Sequence, residues 1–133
     1  MWRWYFGDQL KYVGIDINPT TQRFATPWAE IVIGDTGSSQ FWEDFKVTST
    51  HERPDIFLDD GGHTMGQQKM AFNELLDWVK PGGIVSLEDL HTSYWPSRYG
   101  GHGNPALQHP PDDPHETFVE FTKRTIDWLH YYR

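Results

Sequence analysis

Four short apolar runs, each carrying carboxylates at its end, constrain this chain more than any other feature. They occupy residues 12–17, 31–35, 55–60 and 83–89. Each is rich in β-branched residues and apolar at both alternations. That is the pattern of a parallel strand covered on both faces. Ligands of open α/β sheets bind at the carboxyl ends of the strands. The acidic tips, Asp16, Asp35, Asp59-Asp60 and Glu88-Asp89, are therefore expected to converge on one edge. The fold class that follows is α/β with a mostly parallel sheet.

Helical segments fit between the runs. Thr64 followed by Gln67 predicts a capping box, and Phe72, Leu75, Leu76 and Val79 then trace a core-facing stripe. Lys80-Pro81-Gly82-Gly83 ends that helix and turns the chain into the last run. Residues 40–47 predict a shorter helix, and residues 1–6 the tail of another. Asp113 with Glu116, and Pro114 at the first helical position, predict a cap for a final helix. Its shared face is Phe118, Phe121, Thr125 and Trp128. Residues 93–114 hold five of the nine prolines and three of the twelve glycines. A loop that long in a compact domain is a lid, a substrate loop or disorder. A length of 133 residues is one domain's worth, 1–133.

A formal net charge of −8 argues against binding a nucleic-acid backbone, which needs a basic face. No apolar run reaches membrane-spanning length, and the N-terminus lacks a signal pattern. A soluble cytoplasmic protein is the expectation. The absence of cysteine removes disulfides and thiolate metal sites.

Asp59-Asp60-Gly61-Gly62-His63 falls where a strand gives way to a helix, with glycines that allow unusual dihedrals. Neighbouring parallel strands lie about 5 Å apart, so Asp60, Glu88 and Asp89 can surround one point. Three unpaired carboxylates repel one another, and a hard divalent cation such as Mg²⁺ resolves the conflict. His63 is then a base for a hydroxyl whose acidity the metal raises, or else a metal ligand. His91 is a second candidate. Asp16 and Asp35 suit the hydroxyls and amino group of a nucleoside cofactor.

In this order, Val13-Gly14-Ile15-Asp16-Ile17-Asn18-Pro19, Gly34-Asp35, Asp59-Asp60-Gly61-Gly62-His63, Lys80-Pro81-Gly82-Gly83 and Glu88-Asp89-Leu90-His91-Thr92-Ser93-Tyr94-Trp95 resemble class I S-adenosylmethionine methyltransferases. The likeness is greatest to the magnesium-dependent macrolide-sugar O-methyltransferases, over residues 10–95. It implies a Rossmann-like fold with S-adenosyl-L-methionine and Mg²⁺ as cofactors. Asp16 would hold the ribose, Asp35 the adenine side, and Asp59 would face the cofactor. Asp60, Glu88 and Asp89 would bind the metal, and His63 would be the base. The acceptor would be a small-molecule hydroxyl. The family's first strand, with its glycine-rich loop, has no counterpart here, nor have its terminal strands. The sheet is therefore expected to be incomplete, with a central gap unless the first and third runs pair directly. Exposed apolar edges would then favour a homo-oligomer. Two other readings use the same residues: an iron-dependent enzyme like the cephalosporin hydroxylases, and a non-catalytic binding module.

Overall fold

The computed structural model describes residues 1–48, 52–96, 98–103 and 113–131. The chain divides into two compact units, Met1–Thr36 and Gly37–Arg133. The first holds helix α1 (Trp2–Phe6) and strands β1 (Tyr12–Asp16) and β2 (Ala29–Ile33). The strands are parallel, in register from Tyr12 opposite Ala29 to Asp16 opposite Ile33. The Gly34 N–H donates to the Asp16 carbonyl at 2.9 Å, carrying the ladder one residue further. After β1, Asn18 caps a 3-10 turn over Pro19–Phe24 by accepting the Thr20 N–H at 3.0 Å.

The second unit runs α2 (Ser39–Thr48), β3 (Ile56–Asp59), α3 (Met65–Leu76), β4 (Ile84–Leu87), a 3-10 turn (Leu90–Tyr94) and α4 (Phe118–His130). β3 and β4 are parallel, from Ile56 opposite Ile84 to Asp59 opposite Leu87. Among the described residues the four strands form two two-stranded sheets, β1 with β2 and β3 with β4. Burial along β3 and β4 alternates instead of covering both faces. Phe57, Asp59, Val85 and Leu87 turn inward, and the Phe57 ring lies 6.2 Å from that of fully buried Trp42 on α2. Ile56, Leu58 and Ile84 occupy the other alternation and are exposed. Apolar residues at both alternations show that neither face repels a partner. They do not show that both faces have one.

Thr64 and Gln67 close the expected capping box at the start of α3. The buried face of that helix, however, is Met65, Gln68, Ala71 and Leu75. Leu76 is 51% exposed, whereas Leu75 is fully buried. The stripe is rotated because the helix packs on both α2 and α4. On one side, Lys46 Nζ donates to the Glu74 carbonyl at 2.7 Å, and Phe45 packs edge-on to Trp78. On the other, Met65, Phe118 and Phe121 form a cluster with Phe72, Leu87 and Leu90.

The start of α4 differs from the expectation of an Asp113 cap. Asp113 makes a turn instead, its carboxylate accepting the His115 N–H at 2.7 Å and its carbonyl the Glu116 N–H at 2.9 Å. The helix begins at Phe118, with Thr117 and Glu120 as its capping box. Two further free N–H groups find partners outside the helix. Phe118 N–H donates to Met65 Sδ at 3.1 Å, and Val119 N–H to Ser93 Oγ at 3.2 Å. Such terminal donors need partners when buried. Glu116, freed from capping, is a buried acid between Lys69 at 3.0 Å and Arg124 at 2.8 Å. Phe118 and Phe121 do face the core, whereas Trp128 is exposed.

Leu75→Ala is expected to lower the unfolding free energy in urea by about 2–5 kcal/mol, and Leu76→Ala by less than about 1 kcal/mol. Equal losses would show the helix to be rotated from the orientation described.

Candidate functional site

The register of β3 and β4 builds the site. The residues following Asp59 and Leu87 emerge side by side, and the Glu88 N–H donates to the Asp59 carbonyl at 2.9 Å. Gln68, buried on α3, donates from Nε2 to the Glu88 carbonyl at 3.1 Å. Both chains then pass through a left-handed residue, His63 at φ 56° and Asp89 at φ 55°. For a residue other than glycine this conformation costs about 1–2 kcal/mol, and such strain gathers at functional sites.

The two bends bring three side chains together. One ligand atom each from Asp60, His63 and Asp89 lies within 4.8 Å of the others. His63 Nε2 is 3.5 Å from Asp60 Oδ1 and 3.4 Å from Asp89 Oδ2. The imidazole is 15% exposed, and the carboxylates 65% and 50%. His63 Nδ1 is buried with no hydrogen-bond partner among the described residues. Asp89 heads the 3-10 turn but makes no side-chain cap. Its second oxygen faces His91 Nδ1 at 3.7 Å. Among the described residues the Glu88 carboxylate is not in this group.

Asp59 points the other way and is buried. Burial pushes its carboxyl above the usual value of 3.8, and nearby Asp60 adds to this. The Gly61 N–H, at 3.2 Å, and His63 oppose the rise.

A cavity of about 430 Å³ adjoins His63 and is lined also by Thr64, Gln67, Arg98 and Tyr99. The Arg98 guanidinium lies 4.8 Å from the Tyr99 ring centre. His91 packs edge-on to Trp95 at 4.6 Å, and Trp95 lies 5.5 Å from Tyr99. This aromatic row belongs to the segment expected as a lid, of which residues 97 and 104–112 lie outside the described residues. Gly101 holds the segment close. A Cβ there would meet the Thr92 carbonyl at 2.3 Å, and the next residue, His102, donates its N–H to Ser93 O at 3.0 Å.

In the first unit, Asp16 accepts the Asn18 N–H at 2.8 Å. It lines a cavity of about 470 Å³ with Tyr12, Phe24 and Trp28. Asp35 is exposed, two residues beyond β2, and does not line that cavity.

No protein-family model matches the chain. It is 34% identical, over 98% of its length, to the 8-demethyl-8-alpha-L-rhamnosyl tetracenomycin-C 2'-O-methyltransferase of Streptomyces olivaceus, of which it covers 31%. The chain is thus related to the macrolide and sugar O-methyltransferases. The demethylmacrocin O-methyltransferase of Streptomyces fradiae is 33% identical over 79% of this chain and 25% of that enzyme. The mycinamicin VI 2''-O-methyltransferase of Micromonospora griseorubida is 30% identical over 74% and 28%. Among solved structures, the MycE methyltransferase of the mycinamycin pathway, in complex with Mg, SAH and mycinamycin VI, superposes with a TM-score of 0.74. Its identity is 26%, over 90% of this chain and 30% of that one. The chain spans about a third of the length of the curated relatives it matches. The Rossmann-like methyltransferase fold class is the one this likeness gives.

Sequence patterns singled out every member of the cluster but not its composition, in which His63 joins and Glu88 does not. Gln68 and Arg98 escaped notice. A glutamine on a helix is ordinarily a surface residue, and its burial depends on the rotation of α3.

Asp59→Asn removes a buried charge at neutral pH without changing shape. A carboxyl whose folded value is raised favours folding below its unfolded value and loses that contribution as pH rises through the folded one. The variant should therefore melt a few degrees higher than the parent at pH 7, and the gain should vanish below pH 3.8. Thermal denaturation at the two pH values reads this directly, and a variant that melts lower at pH 7 contradicts it.

Proposed function

We propose that this chain carries the metal-and-base half of an S-adenosylmethionine-dependent O-methyltransferase acting on a hydroxyl of a sugar-bearing natural product. The observation that carries the reading is the convergence of Asp60, His63 and Asp89 at the tips of two adjacent parallel strands. The relatives' names give O-methyl transfer to glycosylated products, and the solved relative holds Mg and SAH.

The donor set fits a hard cation. Asp60 and Asp89 offer exposed carboxylate oxygens, and Glu88 precedes Asp89 in the chain as a further candidate ligand. Two carboxylates and one imidazole differ from the two-imidazole, one-carboxylate set usual for non-haem iron. A bound cation would polarise the acceptor oxygen, and S-adenosylmethionine would supply the methyl group. Asp16, with Tyr12, Phe24 and Trp28 about one cavity, supports a nucleoside binding there: aromatic faces for a base, a carboxylate for ribose hydroxyls.

The chain's own work is positioning and proton handling. His63 Nε2 takes the proton of the acceptor hydroxyl, and the charge arriving with it meets carboxylate oxygens at 3.4 and 3.5 Å. The cavity beside His63 receives the acceptor sugar. Tyr99, packed on Trp95, presents an apolar face to it, and Arg98 donates to its oxygens. The exposed face of Ile56, Leu58 and Ile84 is where self-association would occur.

Titration calorimetry with Mg²⁺ and with S-adenosylhomocysteine tests this. Both should bind the parent chain. Asp60→Asn and Asp89→Asn should each weaken Mg²⁺ by roughly tenfold or more. His63→Ala should leave Mg²⁺ affinity within about threefold and lower methyl transfer, followed by mass spectrometry, by about 10²–10⁴. Loss of Mg²⁺ binding in His63→Ala makes His63 a ligand rather than the base. Absence of S-adenosylhomocysteine binding at millimolar concentration makes the chain a non-catalytic relative. Iron-dependent oxidation without the methyl donor would favour the hydroxylase-like reading.

A further inference from the structure

We infer that Thr92 is a positioning residue that sets the distance between the two halves of the metal cluster. The inference rests on the metal-site reading above. His63 and Asp89 are the two non-glycine residues with left-handed backbones among those described. Each sits in a different loop, one after β3 and one after β4. The Thr92 hydroxyl reaches the carbonyl of both: 2.9 Å to His63 O and 3.0 Å to Asp89 O.

The hydroxyl has one proton, so the two carbonyls share it in a three-centre bond, and the two contacts are not equivalent. The Asp89 carbonyl also accepts the Thr92 N–H at 3.1 Å, so it stays partnered if the hydroxyl is removed. The His63 carbonyl is held across 29 residues of sequence by the hydroxyl itself. Thr92 is 2% exposed, so water does not readily replace that donor. A part-buried carbonyl that loses this donor loses a hydrogen bond, and the loop relieves the loss by rotating its peptide. Rotation of the peptide after His63 shifts its loop, and Asp60 with it, against Asp89. The two carboxylates that would hold the metal then separate from the arrangement in which one oxygen of each lies within 4.8 Å of the other and of His63.

Thr92 makes this link from a fixed base. Its own carbonyl accepts the Trp95 N–H at 3.0 Å within the 3-10 turn. The neighbouring Ser93 hydroxyl accepts the Val119 N–H of α4 at 3.2 Å. The hydroxyl therefore refers both left-handed residues to the same rigid element. It touches no ligand atom of the cluster and acts only through the backbones that carry them.

Three variants test the inference: Thr92→Val and Thr92→Ala remove the hydroxyl, and Thr92→Ser keeps it. Mn²⁺ serves as the probe, with affinity and electron paramagnetic resonance line shape measured on the full chain. Circular dichroism establishes that each variant is folded. The expected result is a parent that binds Mn²⁺, a roughly tenfold or greater loss in whichever hydroxyl-free variant folds, and a Ser variant within about threefold of the parent. The spectrum of any residual complex of the Val or Ala variant should differ from the parent's. Equal affinity and line shape in folded Val or Ala variants overturn the role of Thr92 and leave the metal site standing. So does a Ser variant as weak as Val. A parent that does not bind Mn²⁺ overturns the metal site and this inference with it. If neither hydroxyl-free variant folds while Ser does and binds normally, Thr92 is a stability residue and the positioning role is rejected.

Discussion

The parallel pairing of β3 with β4 is the interaction on which the rest of the site depends. With Asp59 opposite Leu87, the first residues past both strands leave the ladder at one level. One more backbone bond, Glu88 N–H to the Asp59 carbonyl, holds the two exits together. A slip of one residue would turn Asp59 outward and Asp60 inward, because side chains alternate along a strand. It would also break up the Phe57, Val85 and Leu87 face that packs under the helices. Hydrophobic burial and placement of the carboxylates are therefore secured by the same register.

Beyond that ladder the chain departs from its easiest conformations. Two residues with side chains take left-handed backbones, one carboxylate is buried against its preference for water, and two others are brought beside the same imidazole. None of these favours folding. Elsewhere local chemistry agrees with structure: both long-range helices begin with complete capping boxes, and buried Glu116 has two cationic partners. Local conflicts confined to one place mark a site whose geometry is kept for something other than stability.

The parts legible in sequence are those whose information is local. The Thr64–Gln67 box, the four runs and their acidic ends depend on a few adjacent residues, and each was visible. The start the chain chooses for α4 is the Thr117–Glu120 box, four residues beyond the expected Asp113–Glu116. Tertiary partners settle that choice: Met65 Sδ and Ser93 Oγ satisfy N–H groups only if the helix starts at Phe118. The expected cluster, Asp60 with both Glu88 and Asp89, rested on spacing alone. Spacing put Glu88 and Asp89 equally near Asp60. The left-handed backbone at Asp89 decides which carboxylate faces His63, and no pattern in the sequence dictates that dihedral. Coverage of both sheet faces was inferred from composition alone, which records tolerance of burial and not the presence of a neighbour.

The separation of Asp59 from Asp60 shows how little distance is needed to give two identical groups different work. They are consecutive, so the strand sends them to opposite sides. Asp60 goes to water and to the imidazole. Asp59 goes under the helices, where its Oδ1 accepts the Gly61 N–H and closes the turn on itself. That bond fixes the peptide after Asp60, and with it the path by which the chain reaches His63. The buried carboxylate thereby shapes the loop on which the exposed site stands. Its energetic cost and the geometry of the site come from one residue, which is why asparagine, able to accept the same N–H, is expected to keep the turn while losing the charge.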